Sequence, residues 1–372
     1  MTRRSFLALL TVLPLMACLR SQDPGSRPYP HRALRVPGPA GPLAAELVLP
    51  EGPGPFPAIL LLAGSGPQDR DEHVAGHRPF LVLSDALARA GIASLRYDKR
   101  GVGGSAGDFA TATIMDFARD AGAAFDALAA QPEIDPTRIA ILGHSEGGLT
   151  APLAARGRKV AALVLLAGPA VPMEQVLRHQ TRSIAALQGA SAEQIAALDG
   201  ALEASFAALR AAPDLAAAHP GLEAALAPLP PEVRQTYAAT LATPWGFDAA
   251  RHDPRTLIGA FQGPVLALYG GSDTQVDAAE SAAALRNLFR ERGVQVEVMA
   301  GLNHLFQPDP TGDPQNYARN PITLAPEVPA RILAFLTCDA RFQIVPSDLR
   351  LPRSQRCLGP HPSVSPSGWS SQ

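Results

Sequence analysis

The chain has 372 residues, of which 47% are hydrophobic and 18% charged, with 32 basic side chains against 34 acidic ones and a net charge of −2. That length and apolar content are enough to bury a large core, so the expectation is a folded globular protein, and one large α/β domain with an insertion fits the length. The near-neutral balance and the lack of a Lys/Arg stripe argue against nucleic acid as a partner.

The chain opens on Thr2-Arg3-Arg4-Ser5-Phe6-Leu7, paired arginines followed by apolar residues, which is similar to a twin-arginine export signal. The apolar stretch ends at Leu15 and is too short to span a bilayer, so residues 1–17 are read as a targeting segment outside the fold. Leu15-Met16-Ala17-Cys18 resembles a lipobox, in which cleavage leaves a lipidated Cys18; a simple cleaved or retained signal is the alternative. The expected location is the bacterial cell envelope, either periplasmic or as a membrane-anchored lipoprotein. In an oxidising compartment the two other cysteines, Cys338 and Cys357, are candidates for a disulfide that would pin the tail to the last helix.

Residues 18–42 read as a linker, Pro/Gly-rich from Ser21 to Pro42. Strand candidates follow at Leu43–Leu49, Phe56–Leu62, Ile92–Tyr97, Ile139–Gly143, Ala162–Ala167, Val265–Tyr269 and Val294–Met299, several of them short continuous apolar runs of the kind buried on both faces. Helical spacing marks Pro79–Ala90, Ile114–Ala130 and Val328–Leu336. Strands alternating with helices predict a mostly parallel central sheet with helices on both faces, over residues 43–171 and 256–337. Residues 172–255 hold no convincing strand. There Ser191-x-x-Gln194 reads as a capping box opening a helix with Ile195, Leu198, Leu202, Phe206 and Leu209 on one face, so the segment is expected to be a helical cap. Residues 338–372 form a C-terminal extension whose Ser/Pro-rich end, from Arg353, has the composition of a disordered tail.

Gly143-His144-Ser145-Glu146-Gly147 matches G-x-S-x-G between a buried-strand run and a small-residue helical run, the context in which a serine sits on a tight strand-to-helix elbow. A serine hydroxyl at neutral pH needs a base, and the base needs an orienting acid. Asp273 stands just past Val265–Tyr269, and His304 just past Val294–Met299, in the order serine, acid, histidine. Asp277 is the rival acid. Only His304 and His361, in the tail, follow Asp273, and His144 beside the serine is expected to pack or bond locally. The oxyanion hole would be formed by the backbone N–H groups of Glu146 and Ser65, with Gly64 as the alternative to Ser65. His73 and His77 have helical spacing, but they lack the glutamate of a zincin motif and a third ligand, so a solvated loop is expected and no metal site is assigned.

With these residues in place the chain resembles the α/β-hydrolase superfamily, and within it a bacterial group of carboxylesterases related to serine aminopeptidases. The matching segments are Gly64-Ser-Gly-Pro-Gln-Asp-Arg-Asp71, Arg96-Tyr-Asp-Lys-Arg-Gly-Val-Gly-Gly-Ser105, Gly143–Gly148, Pro264–Asp273 and Leu302-Asn-His-Leu-Phe-Gln307. The Arg96–Ser105 segment reads as a glycine-rich turn fixed by Asp98 and Arg100. Relatives often carry a histidine before the first oxyanion glycine, where this chain has Ala63, which leaves open how the hole is buttressed.

The expectation is a serine esterase acting through an acyl-enzyme on small-molecule carboxylic esters with short acyl groups, needing no cofactor. Two rivals are a serine aminopeptidase, for which Glu174, Glu193, Glu203 and Glu223 in the cap are the available acids although their spacing suggests a solvated face, and a catalytically inactive lipid-anchored binding protein.

Overall fold

A computed structural model describes residues 22–338. Cys18, Cys357, His361, the residues read as an export signal and the tail lie outside the described residues, and the last helix described runs to Cys338.

Eight strands form one sheet: β1 (His31–Gly38), β2 (Gly41–Val48), β3 (Phe56–Leu62), β4 (Ala93–Tyr97), β5 (Ile134–His144), β6 (Leu163–Leu166), β7 (Val265–Gly270) and β8 (Gln295–Met299). Their order is β1-β2-β4-β3-β5-β6-β7-β8, with β2 antiparallel to both its neighbours and every pairing from β4 to β8 parallel.

The linker reading of residues 18–42 is corrected here, because β1 and β2 form a hairpin with Gly38 opposite Gly41. β1 is the sheet's edge and mostly exposed, so outward Ala33 and Arg35 alternate with Leu34 and Val36. Only Val36 is fully buried, and an arginine-rich edge strand between prolines leaves little apolar signal to read.

The inner strands read as continuous apolar runs because alternate residues feed two layers. Leu60, Ile141, Leu165 and Tyr269 point into one, and Ile59, Leu142, Leu166 and Leu268 into the other. The second layer is closed by α1 (Pro79–Arg89) and α11 (Glu327–Cys338). The first is closed by α2 (Ile114–Ala129), α3 (Gly147–Ala154) and α10 (Ala278–Leu288). α2 starts on a complete capping box: Thr113 accepts from Asp116 N, and the Asp116 carboxylate accepts from Thr113 N.

Between β6 and β7 lie six helices, α4 (Met173–Leu187), α5 (Ala192–Ala211), α6 (Leu215–Leu226), α7 (Pro231–Leu241), α8 (Pro244–Ala249) and α9 (Pro254–Gly259). The Ser191/Gln194 box opens α5, and Leu202, Phe206 and Leu209 join the same hydrophobic cluster as the α2/α3 side of the core. Among the described residues no helix is long and apolar enough to cross a membrane.

Candidate active site

All the candidate residues lie at the carboxyl ends of the parallel strands. The run Ile139–Leu142 is completely buried, so β5 delivers the chain to its end in a fixed register between β3 and β6. Ser145 then turns the chain with φ of +51°, a left-handed conformation that a non-glycine residue adopts only when its surroundings impose it. The turn closes tightly enough that a Cβ on Gly143 would lie 2.0 Å from the Gly147 carbonyl oxygen, and one on Gly147 would lie 2.2 Å from the Leu62 carbonyl oxygen. Glycine is required at both sides of the serine by this approach. Ser145 itself is partly accessible, whereas its neighbours in the elbow are buried.

Asp273 follows β7 and His304 follows β8, and the structure brings them together. His304 Nδ1 lies 2.7 Å from Asp273 Oδ2, with both side chains almost inaccessible. The other Asp273 oxygen accepts from the backbone N–H groups of Gln275 and Val276, which holds the carboxylate plane. Because the carboxylate only accepts, Nδ1 is the donor in this contact, and in the tautomer with one ring proton the lone pair lies on Nε2. Asp277 is elsewhere engaged: it caps α10 by accepting from Glu280 N and stands 3.5 Å from His179 Nδ1.

His304 sits in a loop held by a residue that sequence reasoning did not single out. The buried Asn303 accepts from the N–H groups of Leu305 and Gln307 and donates to the Gln307 side chain. Phe306, with φ of +58°, completes the turn.

The loop after β3 lies against the elbow, since a Cβ on Gly64 would be 3.2 Å from Ser145 Cβ. Gly64 N–H donates to Glu72 Oε1 at 2.6 Å and is therefore committed. Among the described residues the N–H groups of Ser65 and Glu146 have no protein acceptor. Of the two readings of the loop donor, Ser65 is the one left available.

Glu72, buried and with φ of +53°, went unseen in the charged run Asp69-Arg70-Asp71-Glu72, whose composition suggests solvent. Its Oε1 is 2.8 Å from His144 Nδ1, while His144 Nε2 is 3.0 Å from the carbonyl oxygen of His304. Both partners are acceptors, so His144 is held as an imidazolium. Burial opposes that charge, but the adjacent Glu72 carboxylate outweighs it and raises the His144 pKa above the ordinary imidazole value. His144 thus ties the elbow to the His304 loop and, through Glu72, to the Gly64 loop.

The turn after β4 is also wired in. Asp98 accepts from Arg70 and from Gly104 N, Arg100 pairs with buried Asp120, and Lys99 reaches the site itself, donating to Gly64 O and to Glu146 Oε1. Lys99 is one of two lysines in the chain and stands just past a strand's carboxyl end, a signal that could have found it.

The expected solvated loop at His77 is corrected. That ring is buried, with Nδ1 2.8 Å from Thr323 Oγ1 and Nε2 2.9 Å from the Tyr317 carbonyl oxygen, while His73 is exposed. Among the described residues no cluster of three or more His, Cys, Asp or Glu has metal-binding geometry. The cap glutamates divide: Glu193, Glu203 and Glu223 are exposed, whereas Glu174 is partly buried between Arg178 and Arg210.

Comparison with known proteins bears on the family and the fold. Esterase EstD of Thermotoga maritima is 27% identical over 264 residues, covering 71% of this chain; the chain spans 58% of the length of that curated relative. Two solved structures share the fold. One is an esterase of Pyrococcus furiosus (15% identity, 83% of this chain and 91% of that one, TM-score 0.53), the other an esterase of Pyrobaculum calidifontis (18%, 88% and 90%, TM-score 0.51). The profile described as Serine aminopeptidase, S33, matches residues 77–311, a span that runs from the start of α1 through the elbow, the cap, Asp273 and His304. With this sheet order and an elbow in that span, the chain belongs to the serine aminopeptidase S33 family of α/β hydrolases.

Proposed function

We propose that the protein is a serine hydrolase of carboxylic esters, with Ser145 as nucleophile, His304 as base and Asp273 as the orienting acid. The observation that carries the reading is the buried 2.7 Å contact between His304 Nδ1 and Asp273, which orients the ring in a loop seated on the serine elbow. His304 Nε2 takes the Ser145 proton as Oγ attacks the ester carbonyl, and the N–H groups of Ser65 and Glu146 receive the oxyanion. Collapse of the tetrahedral intermediate expels the alcohol, protonated by His304, and leaves an acyl-serine. Water, deprotonated by His304, then releases the acid and restores the hydroxyl. The name of the Thermotoga relative supports an ester rather than another acyl substrate.

Short, apolar acyl groups are the substrate class we favour, because the cap that joins the core's hydrophobic cluster is built from Ala, Leu and Phe. Hydrolysis of p-nitrophenyl acetate, butyrate and palmitate by wild type and Ser145→Ala tests both points. The expected result is a preference for the shorter esters and loss of turnover in the variant; turnover retained by Ser145→Ala removes the nucleophile assignment.

The family description raises the aminopeptidase reading. Glu174 is paired with Arg178 and Arg210, and Glu203 lies 3.2 Å from Arg178, which weighs against either as the site of a free amino terminus. Release of naphthylamine from an aminoacyl-β-naphthylamide at rates matching an ester would reverse that preference. We also propose export and lipid attachment at Cys18, which a Cys18→Ser variant tests by loss of membrane-fraction protein.

A further inference from the structure

Lys99, just past the end of β4, reaches the loop that follows β3. Its ammonium has three hydrogens and three acceptors: Gly64 O at 2.8 Å, Gly66 O at 3.3 Å and Glu146 Oε1 at 2.7 Å. The ammonium also lies 4.2 Å from the centre of the Phe117 ring, whose face favours a cation. Lys99 and Glu146 are both about 95% buried, so this is an ion pair shielded from water.

The geometry matters because of which peptide is gripped. The carbonyl of Gly64 and the N–H of Ser65 belong to the same planar, trans peptide unit, so they point in opposite directions. Holding Gly64 O with Lys99 therefore fixes the direction of the Ser65 N–H. A cation on the carbonyl oxygen also polarises the amide, which makes that N–H a stronger donor. The partner of the cation, Glu146, supplies the second N–H from its own backbone, and one ion pair thereby sets both donors.

The pair continues into the cap. Glu146 Oε2 accepts from Trp245 Nε1 at 2.6 Å, and Trp245 lies on α8. The same short helix is fastened to the core by Asp248, whose Oδ2 accepts from Met115 N at the start of α2. The path from cap to oxyanion loop runs through three side chains: Trp245, Glu146 and Lys99.

Resting on the serine-hydrolase reading above, we propose that Lys99 is the positioning residue of the oxyanion hole and that Trp245 couples its setting to the cap. Neither side chain touches the reacting atoms. Their effect is on the transition state, where the oxyanion forms, and less on the ground-state ester.

The test uses the full chain, p-nitrophenyl butyrate kinetics, a butylboronic acid as tetrahedral analogue, and fluorophosphonate labelling at Ser145. For Lys99→Met the expected result is a fall in kcat of about 10- to 100-fold, below the roughly 10²–10³-fold typical of losing a whole donor, with little change in KM. Boronate affinity and labelling rate should fall by the same factor. Lys99→Met/Glu146→Gln removes both buried charges together, so it keeps the test available if the single variant misfolds, and it should show the same kcat loss. Trp245→Phe keeps the ring but not the donor, and should lower kcat by a smaller factor in the same sense. A folded double variant with wild-type kcat, or one whose kcat falls while boronate affinity and labelling rate stay unchanged, overturns the proposal. Labelling reads the hole whether or not esters are the substrates, so a wild type inactive on esters overturns the esterase reading separately.

Discussion

Asp273 and Asp277 are four residues apart on one loop, and their different surroundings give them different work. Asp273 has one oxygen on His304 and the other on two backbone N–H groups, whereas Asp277 caps α10. Asp273→Asn should lower kcat by about 10³- to 10⁴-fold, because an amide can donate to Nδ1 and invert the tautomer. Asp277→Ala should leave kcat nearly unchanged while costing about 1 kcal/mol in urea unfolding, as for loss of a helix cap. Equal kcat losses in the two variants would contradict this division. His144 gives a pH signature. Its folded pKa is raised, so its contribution to stability is complete below the ordinary imidazole value and is lost as pH rises through the raised one. Urea unfolding across that range should show this decline in wild type and not in His144→Phe. The three positions proposed as a triad are legible as candidates because each follows a strand-like run in a fixed chain order. Glu72 is not, because its side-chain partners, Gly64 and His144, come from two other segments, which no local pattern records.

At the scale of elements, the buried strands were readable wherever both faces are covered, since continuous apolar runs such as Phe56–Leu62 admit few other readings. The hairpin of β1 and β2 was half missed: an edge strand carries its stability in backbone pairing, which every sequence can supply, and in only a few inward side chains. The capping boxes of α2 and α5 are local. The box on α5 was legible, and that on α2 makes a separate pH prediction. Burial raises the Asp116 pKa, but the Thr113 hydrogen bonds and the nearby Arg119 and Arg100 outweigh it, bringing it from 3.8 down to about 2. A depressed carboxylate stabilises the fold above its unfolded value and loses that contribution as pH falls through about 2. Asp116→Asn should therefore lower stability by about 1 kcal/mol at pH 7, with the difference from wild type shrinking as pH falls below about 4. A difference that stays constant with pH would place the effect outside the box.

For the molecule as a whole, the cap is continuous with the core: Leu202, Phe206 and Leu241 share a cluster with Ile141 and Leu165 of the sheet. Cap and core should unfold together. Trp245 and Trp369 are the only tryptophans, so in Trp369→Phe the fluorescence reports α8 alone. Its urea midpoint should coincide with that of far-ultraviolet circular dichroism, and an earlier midpoint would show a cap that melts by itself. The sheet order brings the three chain segments carrying Ser145, Asp273 and His304 to one end of neighbouring strands, and the central claim is that they act there as one nucleophilic unit. The most direct measurement is peptide mapping by mass spectrometry after exposure of the folded protein to a fluorophosphonate. One adduct is expected, on Ser145, and strongly reduced in His304→Ala; labelling unchanged in that variant, or an adduct on another residue, would show that Ser145 and His304 do not work together.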